Sequence, residues 1–134
     1  MSETENLPVR GDEDPWTEEE LTTVRAELEG EITRLRGEVT QAETSLAEWL
    51  ANSVDTAGDD PTDTGAKAHQ REQDLALTYN TRELLAQSKR AVERIDAGTY
   101  GACESCGKAI GKARLQVFPR ATQCVRCKQR EERR

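Results

Sequence analysis

The sequence predicts an all-α protein: a long antiparallel helical hairpin (coiled coil), then a small C-terminal four-cysteine finger and a C-terminal helix. Three observations carry this. Apolar residues recur every three or four positions along two long stretches, an Asp-rich break with Gly58 and Pro61 separates those stretches, and two Cys-x2-Cys pairs follow the second. With 134 residues, 34% apolar, 34% charged and only 4% aromatic, the chain can build only a thin core. A metal staple is expected to supply part of the order.

Residues 1–15 are polar and acidic, with Pro8, Gly11 and Pro15, and read as a disordered acidic N-terminal tail. The hairpin is expected over residues 16–98. Its first helix starts where Thr17 can cap, Glu20 can close a capping box and Trp16 can staple onto Leu21. From there Leu21, Val24, Leu28, Ile32, Leu35, Val39, Ala42, Leu46 and Trp49 form a coiled-coil stripe. Gly30 and Gly37 interrupt it and each weaken a helix by roughly 1 kcal/mol relative to Ala, so this helix needs a partner.

Residues 51–63 break the period and carry four Asp, as expected for an acidic hairpin tip. Asp60-Pro61 marks its end, since the residue before proline leaves the helical region while proline suits the first helical position. The second helix runs to about Ala97, with Leu75, Leu77, Leu84, Leu85, Ser88, Ala91, Val92 and Ile95 as its apolar face, and Gly98 stops it. Its distal part, residues 64–74, has no large apolar residue, and Ala66 and Ala68 are the expected seats for Trp49 and Leu50. An intramolecular hairpin uses up its own stripe, so a monomer is expected.

Residues 99–134 are assigned to the finger and C-terminal helix. Cys103-x2-Cys106 and Cys124-x2-Cys127, 17 residues apart, match a tetrahedral zinc site built from two knuckles. A redox pair lacks the βαβ surroundings it needs, and disulfides do not suit the reducing compartment expected for this chain. Four thiolates leave no open coordination position, so one structural Zn2+ is expected and no catalytic metal.

Charge narrows the function classes. Residues 1–102 hold 10 Lys and Arg against 23 Asp and Glu, net −13, whereas residues 103–134 hold 9 against 3, net +6. The acidic body argues against sequence-specific DNA binding, while the basic end leaves contact with nucleic acid or an acidic surface open. No apolar run is long enough to span a membrane and no signal sequence is seen, so a cytoplasmic protein is expected. The lone histidine, His69, sits in a polar stretch and reads as a solvated residue. No nucleophile and base are set together, so the chain is not expected to be an enzyme. The tip aspartates Asp60 and Asp63 suit the positive end of the second helix, which alone explains them.

The stretch Asp60-Pro61-Thr62-Asp63, the helix ending Arg94-Ile95-Asp96-Ala97-Gly98-Thr99-Tyr100-Gly101, and the run CESCGKAIGKARLQVFPRATQCVRCK resemble the DksA/TraR family of bacterial RNA polymerase regulators. The resemblance covers residues 60–128, including Arg114-Leu115, Pro119 and Ala121, and extends to the first helix by architecture only. It implies a transcription regulator whose hairpin enters the secondary channel of RNA polymerase, with Asp60 and Asp63 near the active site. Gly65 stands where the family usually has Ala, which implies a softer tip. Arg114 and Lys128 are the implied rim or nucleotide contacts. Gln87 and Phe118 stand where nucleotide-responsive members have Lys and Arg, implying a weak or absent response to ppGpp. Two rival readings remain: a nucleic-acid-binding zinc finger, and a structural coiled-coil adaptor.

Overall fold

The computed structural model describes residues 7–52 and 61–133, and of residues 61–64 the backbone alone. Four helices follow in order: α1 (Glu18–Asn52), α2 (Pro61–Ala97), α3 (Lys112–Val117) and α4 (Val125–Glu132). The long pair α1 and α2 forms the helical hairpin. Among the described residues no strand forms; a single antiparallel bridge joins Ala102 and Ala109. No helix among them is long and apolar enough to cross a membrane.

Both ends of the hairpin's base follow from local chemistry. At the start of α1, the Thr17 N–H donates to Glu20 Oε1 (3.0 Å) and the Glu20 N–H to Thr17 Oγ1 (3.1 Å), the reciprocal capping box the sequence predicts. At the end of α2, Thr99 N–H reaches the Arg94 carbonyl and Gly98 N–H the Ile95 carbonyl, with Gly98 at φ 75°. That is a Schellman turn, which favours a residue without Cβ at this position.

The chain divides into two compact units, Met1–Ile32 with Ala86–Arg134, and Thr33–Leu85. The first holds the main core. Trp16, Leu21, Val24 and Leu28 of the α1 side meet Ala91 and Ile95 of α2 and Tyr100, Cys103, Ile110, Leu115 and Cys127 of the finger. Leu7 belongs to the same cluster, with Val9 packed against it. The expectation of a disordered lead-in through residue 15 therefore fails for residues 7–15. Those residues are irregular in backbone, but Leu7 supplies apolar burial and Glu13 bonds the finger, so they are held without regular structure.

In the second unit the α1 stripe continues through the buried Leu35 and the half-buried Val39, Ala42, Leu46 and Trp49. The α2 side departs from its expected face. Leu84 and Leu85 are half-buried as expected, but Leu77 and Leu75 are 64% and 42% exposed, and Thr78 and Thr81 are half-buried in their place. Ala66 and Ala68 are exposed, and Arg71 lays its guanidinium over the Trp49 ring, 4.3 Å from its centroid. A long side chain with an apolar stem and a cation that favours an aromatic face covers the indole better than a methyl group. Arg82 pairs with Glu43 at 2.5 Å, an exposed ion pair that sets pairing more than stability.

The expected tip, residues 51–63, is shorter at both sides, since Ala51 and Asn52 still belong to α1 and Pro61 already opens α2. Asp60 lies outside the described residues. Asp63 falls in the first turn of α2.

Candidate metal centre

The four predicted ligands come together. The sulfurs of Cys103, Cys106, Cys124 and Cys127 all lie within 4.8 Å of one another, and those of Cys106 and Cys124 are 3.8 Å apart. Around a tetrahedral ion with Zn–S bonds of about 2.3 Å, neighbouring sulfurs are separated by about 3.8 Å. The cluster therefore has the size of a zinc cage.

Local backbone bonds shape it. The Cys103 N–H donates to the Lys108 carbonyl (2.8 Å) and the Gly107 N–H returns to the Cys103 carbonyl (2.9 Å), closing the first knuckle. The Ile110 N–H donates to Gly101 (2.8 Å) and closes the loop that carries it. The Glu104 N–H bonds the Thr122 carbonyl (2.9 Å), and Gln123 donates its amide to Ser105 Oγ (2.9 Å), which joins the first knuckle to the second. Cys124 occupies the N-cap position of α4, and Cys127 lies buried in its first turn.

The thiols answer to this geometry. Burial works to raise the Cys103 thiol, yet N–H groups of Cys124, Cys106 and Ser105 aimed at its sulfur outweigh it and hold the group below its ordinary value. The Cys127 N–H does the same for Cys124. Cys127 moves the other way, first through its hydrogen bond with the Cys124 sulfur and then through burial. Thiols this close cannot all ionise unless a cation neutralises them, and N–H groups directed at the sulfurs are what a metal thiolate needs. The donor set fits Zn2+, with all four positions filled by protein.

Around the knuckles, Arg94 donates to the Ala102 carbonyl (2.6 Å), and Arg90 and Arg94 pair with Glu104 at 3.3 and 3.6 Å. Of the two candidate contacts, Arg114 is half-buried, with its Nε on the Gln123 carbonyl (3.4 Å) and its guanidinium 5.7 Å from the Phe118 centroid. Lys128 is exposed on α4. Phe118 and Val117 are 53% and 71% exposed, whereas Ile110, Leu115 and Tyr100 are buried. His69 is exposed as expected, with Gln73 Nε2 3.3 Å from its ring nitrogen.

Two contacts escaped sequence reasoning. The Tyr100 hydroxyl donates to the Pro119 carbonyl (2.7 Å), while its ring lies 6.0 Å from that of Trp16. The Glu13 carboxylate accepts from the N–H groups of Lys112 (2.8 Å) and Ala113 (2.9 Å) at the start of α3. The finger's Tyr was visible as a motif residue; Glu13 carried no local signal.

Residues 98–133 match the prokaryotic dksA/traR C4-type zinc finger. The chain is 30% identical over 116 residues, 87% of its length and 74% of the relative's, to the RNA polymerase-binding transcription factor DksA of Escherichia coli (strain K12). The chain belongs to the DksA/TraR family. It is also similar to the protein of that name from Caulobacter vibrioides, 42% identical over 67 residues, 47% of each chain. Among solved structures it is similar to transcription factor DksA2 from Pseudomonas aeruginosa, with a TM-score of 0.68 at 28% identity, covering 87% of this chain and 85% of that one. As a member of this family with its four thiols clustered, the chain binds one structural zinc ion. The thiols of Cys103, Cys106, Cys124 and Cys127 are placed to hold it.

Proposed function

We propose that this chain is a bacterial transcription regulator that binds RNA polymerase through the secondary channel and brings its acidic hairpin tip near the active site, without catalysing a reaction. The observation that carries the reading is the pairing of a long helical hairpin with a closed four-thiol centre in a chain whose relatives are named RNA polymerase-binding transcription factors. A metal with every position taken by protein has no place for substrate, so the zinc organises the hairpin's base. A hairpin gives reach, and carboxylates at its end act electrostatically on a magnesium centre or on the basic elements around it. Asp60 and Asp63 are the residues assigned that role; both also suit the start of α2, which Pro61 opens. Arg114 and Lys128 are assigned to the rim of the channel. The protein acts as a cytoplasmic monomer, with no sequence-specific DNA contact of its own.

A photo-crosslinking residue at position 60, in protein co-purified with bacterial RNA polymerase, tests the reading. Crosslinks to the catalytic subunits around the active site are expected. Failure to co-purify, or crosslinks confined to the enzyme's outer surface, refutes it.

A further inference from the structure

We propose that residues 7–15 form a clamp on the metal centre, with Glu13 as its positioning residue, so that closure of this arm and retention of zinc are thermodynamically coupled. The arm supplies no ligand, yet it touches both ends of the loop that carries the first two. A Cβ built on Gly101 comes within 3.3 Å of the Pro8 carbonyl, and one on Gly111 within 3.0 Å of the Arg10 side chain. These two glycines flank the segment holding Cys103 and Cys106, and the Ile110 to Gly101 bond closes that same segment. A side chain at either glycine would force its neighbour in the arm to give way by a few tenths of an ångström, so the arm packs closely against both ends of this segment.

Glu13 fastens the contact. Its Oε1 accepts from the N–H groups of Arg10 (2.9 Å) and Lys112 (2.8 Å), and its Oε2 from that of Ala113 (2.9 Å). One carboxylate thus ties the arm's own turn to the first residues of α3, whose Leu115 is fully buried beside Cys103 and Cys127 in the core. Lys112 adds a second tie, donating to the Pro15 carbonyl (3.4 Å) and pairing with Glu20 at 3.1 Å. Leu7 completes the clamp by entering that core.

Ordering nine residues without a helix costs conformational entropy that their few contacts offset only while the surface they meet is fixed. Zinc fixes it, because the metal holds the first knuckle against the second. Coupling of this kind is reciprocal: if the loaded finger favours the closed arm, the closed arm favours the loaded finger by the same factor.

The test uses the full-length zinc-loaded protein. Zinc content is measured first in every variant, then the rate of zinc release to an excess of a chromophoric chelator. Hydrogen exchange of the arm is followed alongside, with zinc and after its removal. Glu13→Ala is expected to load one zinc and release it about fivefold to tenfold faster, the scale set by loss of a helix-capping carboxylate. Glu13→Gln, which keeps one acceptor oxygen, falls between the two. Arg25→Ala, which breaks the Arg25–Asp96 pair at the hairpin's base, keeps the wild-type rate. The arm loses protection on chelation, and also in Glu13→Ala with zinc still bound. Normal loading with an unchanged release rate overturns the clamp, as does arm protection indifferent to zinc, or equal acceleration in Arg25→Ala. Absence of zinc from the wild-type protein would instead refute the metal centre itself.

Discussion

Replacing Ser88 by Ala should stabilise this protein. Ser88 is wholly buried on α2, lines one small cavity with Leu28, and its Oγ has no hydrogen-bond partner among the described residues. A buried hydroxyl left unpaired costs about 1–3 kcal/mol, and Ala is also the better helix former by a few tenths of a kcal/mol. Against this stands the small loss of contacts made by one oxygen atom. A net gain of about 1–2 kcal/mol follows, which for a chain of this length raises the melting temperature by roughly 4–8 °C. The assay is thermal unfolding of the zinc-loaded protein followed by circular dichroism. Ser45→Ala, at an exposed position within α1, isolates the propensity contribution and should gain only a few tenths of a kcal/mol. If Ser88→Ala gains no more than Ser45→Ala, or loses stability, the hydroxyl is satisfied and the reasoning fails.

Other outcomes follow from the same structure. Chelation should unfold residues 98–133 and loosen the core they share with Trp16, Leu21 and Ile95, while most helical signal persists in α1 and α2; unchanged finger amide resonances without metal would contradict this. Asp60→Asn with Asp63→Asn should leave polymerase binding nearly intact and abolish the transcriptional effect, so a folded, bound and fully active double variant would reduce both residues to helix caps. A weak or absent response to ppGpp is expected, because the family resemblance implies that Gln87 and Phe118 stand in place of two cations, and each lost charged hydrogen bond costs about 1.5–3 kcal/mol; strong synergy in transcription assays, using polymerase without its other nucleotide site, would disprove it. Glu13 and Glu20 both titrate below the ordinary 4.5: burial raises Glu13 but is outweighed by the N–H groups of Ala113, Arg10 and Lys112, and Glu20 is lowered first by the Thr17 N–H and then by Lys112. Their folded values lie under their unfolded ones, so the stability they add is present above pH 4.5 and lost as pH falls below it through the folded values. Glu13→Gln should flatten that acid limb of the melting-temperature profile, and an unaltered limb counts against the assignment.

What the sequence revealed and what it hid divide along contact range. Thr17 and Glu20 are three residues apart, Gly98 ends its own helix, and each Cys-x2-Cys knuckle is built by its neighbours, so local spacing was enough to read them. The α1 stripe was legible because its period alone sets which face is apolar. The face of α2 was harder: Leu75 and Leu77 look like core residues but are exposed, while Thr78 and Thr81 are half-buried, a register decided by the partner helix. Arg71 over Trp49 is a cross-helix choice of the same kind. Glu13 was hidden most completely, since its partners Lys112 and Ala113 lie about a hundred residues away and its own stretch has the composition of a disordered tail.

The division also bears on function. A zinc ion enclosed by four thiolates can act on a partner only through what it positions, and it positions the core that joins α1, α2, α3 and the N-terminal arm. Changes near the cysteines should therefore alter binding and stability together. Changes at Asp60 and Asp63, the residues assigned to the hairpin tip, should alter the transcriptional effect alone. The two classes of variant are separable in one assay that measures polymerase affinity and transcript yield side by side. If finger variants with normal affinity lose the effect, the metal centre does more than hold the hairpin's base.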